Sequence, residues 1–178
     1  MSLALLLWAA GPMTASAQTL PPTSSAAALN PHGIASFTLG RQLKSAAAGA
    51  LRLDPAAALI GPGCDERDQV TVNLNVSGHA MTVMAMATAD GHIEEIIALP
   101  HGLAVSLPDA AACRASGVSF ARSLSGTLGP FSDADPVMKA VSEEFAFVFP
   151  QRARAVARWF AGGRTCDLAL QFGSKSGP

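Results

Sequence analysis

From residue 69 to residue 77 the side chains alternate without a break. Val70, Val72, Leu74 and Val76 are apolar, while Thr71, Asn73, Asn75 and Ser77 are polar and uncharged. A period of two sends successive side chains to opposite faces, so this stretch predicts a half-buried antiparallel strand. Residues 80–87 and 92–99 follow on either side of Ala89-Asp90-Gly91, turn residues that tolerate positive φ, and predict a hairpin. Farther along, Phe145, Phe147 and Phe149 alternate, residues 154–160 pair back, and Ala161-Gly162-Gly163 turns the chain into a strand over 166–172. In that last strand Cys166, Leu168, Leu170 and Phe172 share one face, and Asp167, Ala169 and Gln171 take the other. Residues 150–161 also fit a helix, with Ala153, Val156, Ala157 and Phe160 on one side and a Gly-Gly stop. The strand reading is preferred, because the phenylalanine run needs a partner and the first hairpin supplies a template.

Helical spacing appears ahead of each strand group. Leu39, Leu43, Ala47 and Ala50 fall on one helical face, and Asp54-Pro55 offers a cap and first residue for a short second helix. Ser106-Leu107-Pro108-Asp109 gives a capping region for another, and Asp135-Pro136 repeats the device for residues 137–143. The sequence Pro31-His32-Gly33-Ile34-Ala35 recurs as Pro100-His101-Gly102-Leu103-Ala104. Repeats at such spacing signal tandem units. The fold expected is α+β: two tandem units, residues 31–99 and 100–178, each with helical pieces on one face of a three-stranded antiparallel sheet, packed as one globule.

The N-terminus carries an export pattern. Leu3 to Ala10 is an apolar run, Gly11-Pro12 breaks it, and Ala15-Ser16-Ala17 matches the small-x-small motif of a signal-peptidase site. Residues 1–17 are therefore read as a signal peptide, and 18–30 as a flexible leader. The chain should be periplasmic or extracellular after cleavage near Ala17. The apolar run is too short to span a bilayer, and no transmembrane segment is expected. Of the 178 residues 49% are hydrophobic and 14% charged, the formal net charge is −1, and tyrosine is absent. That composition can bury a core, but it lacks the basic excess and aromatic platforms of nucleic-acid binding.

A repeated helix-helix-strand-strand-strand unit, with Gly33-Ile34 leading to Leu39-Gly40 and Asp90-Gly91-His92-Ile93 through Ile96 in the hairpin, resembles the β-lactamase-inhibitor-protein-like arrangement. Small outer-membrane assembly lipoproteins carry it singly. The resemblance would cover residues 31–172 and implies a curved sheet surface that binds other proteins. The chain has no tyrosine, the two units do not each carry a pair of cysteines, and no lipidated cysteine is expected, so what carries over is the architecture.

An exported chain with Cys64, Cys113 and Cys166 can form one bridge. Cys113 on a helix facing Cys166 favours that pair, with Cys64–Cys166 as the alternative. No CxxC or metal-ligand spacing exists, and neither metal nor cofactor is expected. Gly117-Val118-Ser119-Phe120-Ala121 is only loosely like a hydrolase elbow, lacking its last glycine. His32 and His101 suit turn roles. His92 with Glu94 and Glu95 does not make a metal set, because Glu95 should point away from the other two. Two surface features point to binding: the uncharged face Thr71, Asn73 and Asn75, and the basic hairpin Arg152, Arg154 and Arg158. The expected function is a non-enzymatic module that binds another envelope or secreted protein. The alternatives are a small exported hydrolase using Ser119, and a carrier of a small apolar ligand lined by Met81, Met84, Met86 and residues 145–149.

Overall fold

The computed structural model describes residues 26–54, 60–63, 65–102 and 105–173. The segment read as a signal peptide, most of that read as a leader, Pro55, Cys64 and Lys175 lie outside the described residues. The chain opens with four two-residue strands, β1 (Ala26–Ala27), β2 (Leu29–Asn30), β3 (Gly33–Ile34) and β4 (Phe37–Thr38), then helix α1 (Leu43–Leu53) and β5 (Gly61–Pro62). Three long strands follow, β6 (Asp68–Val76), β7 (His79–Ala87) and β8 (Ile93–Pro100), then β9 (Val105–Ser106) and helix α2 (Ala110–Leu128). Short β10 (Ser132–Asp133) and β11 (Val137–Met138) precede a second long trio, β12 (Glu143–Val148), β13 (Ala153–Phe160) and β14 (Thr165–Phe172).

The two trios do not form separate three-stranded sheets. They join in one mixed sheet of 11 strands whose main path runs β1-β6-β7-β8-β14-β13-β12-β10. Of the described residues 47% are strand and 21% helix, in two helices. The expectation of two α+β units, each with helical pieces on its own small sheet, is thereby corrected. The joint that overturns it is antiparallel pairing of β8 with β14, Ile96↔Phe172, Ile97↔Gln171 and Ala98↔Leu170. Two separate three-stranded sheets would leave four edges of unpaired backbone; fusing them at the centre removes two. The outer edges are partly covered, by β1 and β5 at the two ends of β6 and by β10 and β11 on β12.

A second correction concerns residues 137–143. Asp135-Pro136 opens no helix there. Val137 and Met138 pair with Glu144 and Glu143, and the Lys139 N–H donates to the Ser142 carbonyl at 2.8 Å, closing a tight hairpin. Pairing along the β12 edge satisfies backbone groups that a single helical turn would leave open. Ala26–Ala27 and Leu29–Asn30, which the sequence places in the leader, are strands paired with β6 and β3.

α2 matches its predicted start. The Asp109 carboxylate accepts from the Ala112 N–H at 2.8 Å, satisfying a first-turn donor that has no intrahelical partner. Both helices lie on the same face of the sheet. Leu43, Ala46 and Ala50 of α1 and Cys113, Phe120, Ala121, Leu124 and Leu128 of α2 share one core with Val70, Val72 and Leu74, with Phe145 and Phe147, and with Leu170 and Phe172. Gly117 lets α2 approach the sheet closely: a Cβ there would sit 2.5 Å from Phe147 Cε2 and 2.7 Å from Ala157 Cβ. Cys113 and Cys166 form the disulfide, Cα to Cα 5.5 Å, which ties α2 to β14 across 53 residues. Residues 153–160 are strand, as preferred over the helical reading.

Candidate functional site: the uncovered sheet face

With the helices on one side, the other face of the six long strands presents a grid of side chains that strand register fixes. One line runs Thr71, Met84, Ile97, Gln171, Arg154, Val148 across all six strands. A second joins Asn73, Thr82 and Leu99 on one half, and Ala169, Val156 and Ala146 on the other. A third contains Asn75 with Ala80, and Asp167 with Arg158 and Glu144.

Register pairing of β8 with β14 stops after Ala98 and Leu170, and β14 next pairs with β9 at Cys166↔Val105. Four steps along β14 thus oppose seven along the other chain; β8 itself runs on along β7 to Met81↔Pro100, and His101-Gly102 follow as a turn. The second copy of the PHG sequence therefore sits in a sheet interruption, whereas the first lies in the β2–β3 turn. Identical local sequence serves two different places. Where the strands part, the uncovered face has a depression of about 360 Å³ lined by Leu99, Pro100, Val156, Arg158, Asp167 and Ala169, among others. Val156 (1% exposed) and Ala169 (4%) form its apolar floor, and Leu99 (39%) stands at its rim.

The sequence-predicted binding residues distribute unevenly over this face. Thr71, Asn73 and Asn75 are on it, at the β6 end. The Asn73 N–H donates to Asp54 Oδ2 at 2.9 Å, and Asn73 Oδ1 accepts from Thr82 Oγ1 at 3.0 Å. Arg154 and Arg158 share the face from β13, four strand spacings away, about 19 Å. Arg152 is instead in the turn before β13 at φ 63°, and its Nη2 donates to the Gly173 carbonyl at 2.7 Å. The structure thus brings Arg154 and Arg158 together and leaves the polar β6 trio and Arg152 apart from them.

One carboxylate, that of Glu144, answers part of the hairpin's positive charge. Arg158 Nε and Lys139 Nζ each donate to Glu144 Oε2 at 2.7 Å, and Arg154 Nε donates to Gln171 Oε1 at 2.7 Å. Glu144 is only 6% exposed. Burial opposes its charge, but the hydrogen bonds from Lys139 and Arg158 outweigh it and hold the carboxyl below the usual glutamate range. Asp167, exposed and in register with Arg158, forms no ion pair among the described residues. Sequence reasoning missed Glu144, Gln171 and the apolar floor. Strand parity was the available signal: Glu144, Ala146 and Val148 alternate with Phe145, Phe147 and Phe149.

The remaining predicted chemistry is placed as follows. Glu94 and Glu95 both reach Arg67, at 3.1 and 3.0 Å. The expectation that strict alternation separates them fails because the β7–β8 register shifts between Met86 and Ala87, which lets both carboxylates turn to one side. In the β7–β8 turn His92 Nδ1 donates to Asp90 Oδ2 at 3.0 Å and its Nε2 accepts from Nε2 of Gln42, the residue before α1, at 3.0 Å, and His101 Nε2 lies 2.7 Å from Thr82 Oγ1. Met81 and Phe147 are packed in the core, and Met84 is on the uncovered face. Ser119 does share a cavity with a histidine, His79, but His79 Nε2 is 3.0 Å from Ser123 Oγ instead. Ser123 spends its proton on the Phe120 carbonyl at 2.7 Å, so the imidazole donates to it; a general base would have to accept. Among the described residues no three His, Cys, Asp or Glu side chains gather as metal ligands, and no helix is long and apolar enough to cross a membrane. No protein-family model, curated protein or solved structure matches this chain.

Proposed function

We propose that the protein is an exported, non-enzymatic module that binds another envelope or secreted protein through the uncovered face of its sheet. The observation carrying this reading is the depression floored by Val156 and Ala169, rimmed by Leu99 and flanked by Arg158 and Asp167. An apolar pocket with the cross-strand neighbours Arg158 and Asp167 at one end suits a single anchoring side chain of a partner flanked by polar or charged groups. Six strands about 4.8 Å apart, each of about eight residues, give a face roughly 25 Å on each side, comparable with the roughly 800 Å² that one partner contributes to a standard interface. Nearly balanced charge on this face disfavours a polyanion. The Cys113–Cys166 bridge fits an oxidising compartment.

A partner recovered with wild type tests the reading through paired variants. Leu99→Glu and Val148→Glu place charge on the face and should each abolish capture, whereas Arg122→Glu on the solvent side of α2 should not. Equal capture by all three would refute the proposed surface.

A further inference from the structure

A proline interrupts the joint between β8 and β14. Extending the register past Ala98↔Leu170 would set Pro100 opposite Leu168, and proline has no N–H to give the ladder. No Leu99↔Ala169 pair forms, and the next pairing on this side of β14 is Cys166↔Val105. The His101 N–H donates to the Ala80 carbonyl, so odd-numbered positions at this end of β8 turn their main chain to β7 and even-numbered ones to β14. Leu170 faces Ala98 across the joint, and the N–H and C=O of Leu168 therefore point into the gap. Register gives them no partner there among the described residues. Leu168 is only 6% exposed, and buried main-chain groups without a ladder partner call for another. Its side chain is in the core with Cys166, Leu170 and Phe172, yet Leu168 also lines the depression on the uncovered face, beside Leu99 and Pro100. What adjoins the depression is its main chain, in the plane of the sheet.

We infer, resting on the protein-binding reading of this face, that the gap receives a carboxamide, the side chain of a glutamine or asparagine on the partner. One main-chain donor beside one main-chain acceptor needs a head that offers one of each, and a carboxamide carries both. A carboxylate only accepts, and an ammonium or guanidinium only donates. The floor suits the stem: Val156 and Ala169 are apolar and buried, a match for the methylenes that lead to the head. The anchor is thus selected by hydrogen-bond complementarity to Leu168, with Pro100 keeping the protein's own strand from taking its place.

Amide-resolved NMR of the disulfide-bonded protein, titrated with N-acetylglutamine methylamide and separately with N-acetylglutamate methylamide, tests the assignment. In the free protein the Leu168 amide should exchange with solvent at least about tenfold faster than those of Cys166 and Leu170, its ladder-paired neighbours. The glutamine probe should shift the Leu168 amide saturably and slow its exchange, and the glutamate probe should bind at least about tenfold more weakly. Pro100→Ala supplies the missing N–H, and should extend the register by one rung, protect the Leu168 amide and abolish the glutamine shift, with the rest of the spectrum unchanged. A Leu168 amide already as protected as that of Leu170, no saturable shift with the glutamine probe, equal affinity for the glutamate probe, or undiminished glutamine binding by Pro100→Ala would each overturn the inference. Partner capture that depends on Leu99 and Val148 would stand through any of these results, so failure of the carboxamide site is distinct from failure of the protein-binding face.

Discussion

Two single residues show how local chemistry sets the limits of this fold. Gly117 lies inside α2, where alanine ordinarily strengthens a helix. Here the added carbon would meet Phe147 and Ala157 within 2.7 Å, and both are fixed in a packed core, so overpacking outweighs propensity. Gly117→Ala should destabilise by about 1–3 kcal/mol, read as a lower urea midpoint at unchanged slope. The glycine that suggested a hydrolase elbow is thus a packing residue. Glu144 makes the second case. Its carboxyl titrates below the usual value of 4.5 in the folded chain, so its contribution is present above that value and is lost as pH falls through the lowered one. Wild type should therefore lose more stability than Glu144→Gln between about pH 5 and about pH 3, while Glu144→Gln is the less stable of the two near pH 7. Parallel acid-side loss in both proteins would place the charge dependence elsewhere.

At the scale of elements, periodicity identified the six long strands, and both long helices were anticipated, because each is encoded by its own neighbours. What periodicity does not encode is which strand pairs with which. Nothing local to Ile96-Ile97-Ala98 or Leu170-Gln171-Phe172 distinguishes a central joint from two edges, and that joint is what turns two small sheets into one. Residues 137–143 failed for a related reason: a proline-capped segment of one or two turns is too short to hold a helix against the free edge of β12. The disulfide was legible, since parity pointed Cys166 at the helical layer. On the chain-entropy account a bridge closing 53 residues contributes about 4 kcal/mol. Reduction, or Cys113→Ala/Cys166→Ala, should lower stability by about that amount in denaturant melts. Asp109→Ala should cost about 1 kcal/mol through the lost cap, a smaller effect at the same helix.

Across the whole molecule, the unequal sides of the sheet carry the functional account. One face is filled by both helices and the disulfide. The other keeps Leu99, about two-fifths exposed, at the rim of a floor of Val156 and Ala169, with Val148 equally exposed on β12. The sequence pointed to this face through Arg154 and Arg158, but in emphasising their charge it missed what they surround: each is tied to Gln171 or Glu144, and the apolar floor lies between them and β8. Thr71, Asn73 and Asn75 belong to the same face at its far end. The most direct measurement is site-specific photo-crosslinking in the native envelope, with a photoreactive side chain placed in turn at Leu99, at Val148 and, as control, at Arg122 on α2. The account predicts one and the same protein adduct from Leu99 and Val148 and none from Arg122. Adducts from Arg122 alone, or none from either face position, would contradict it.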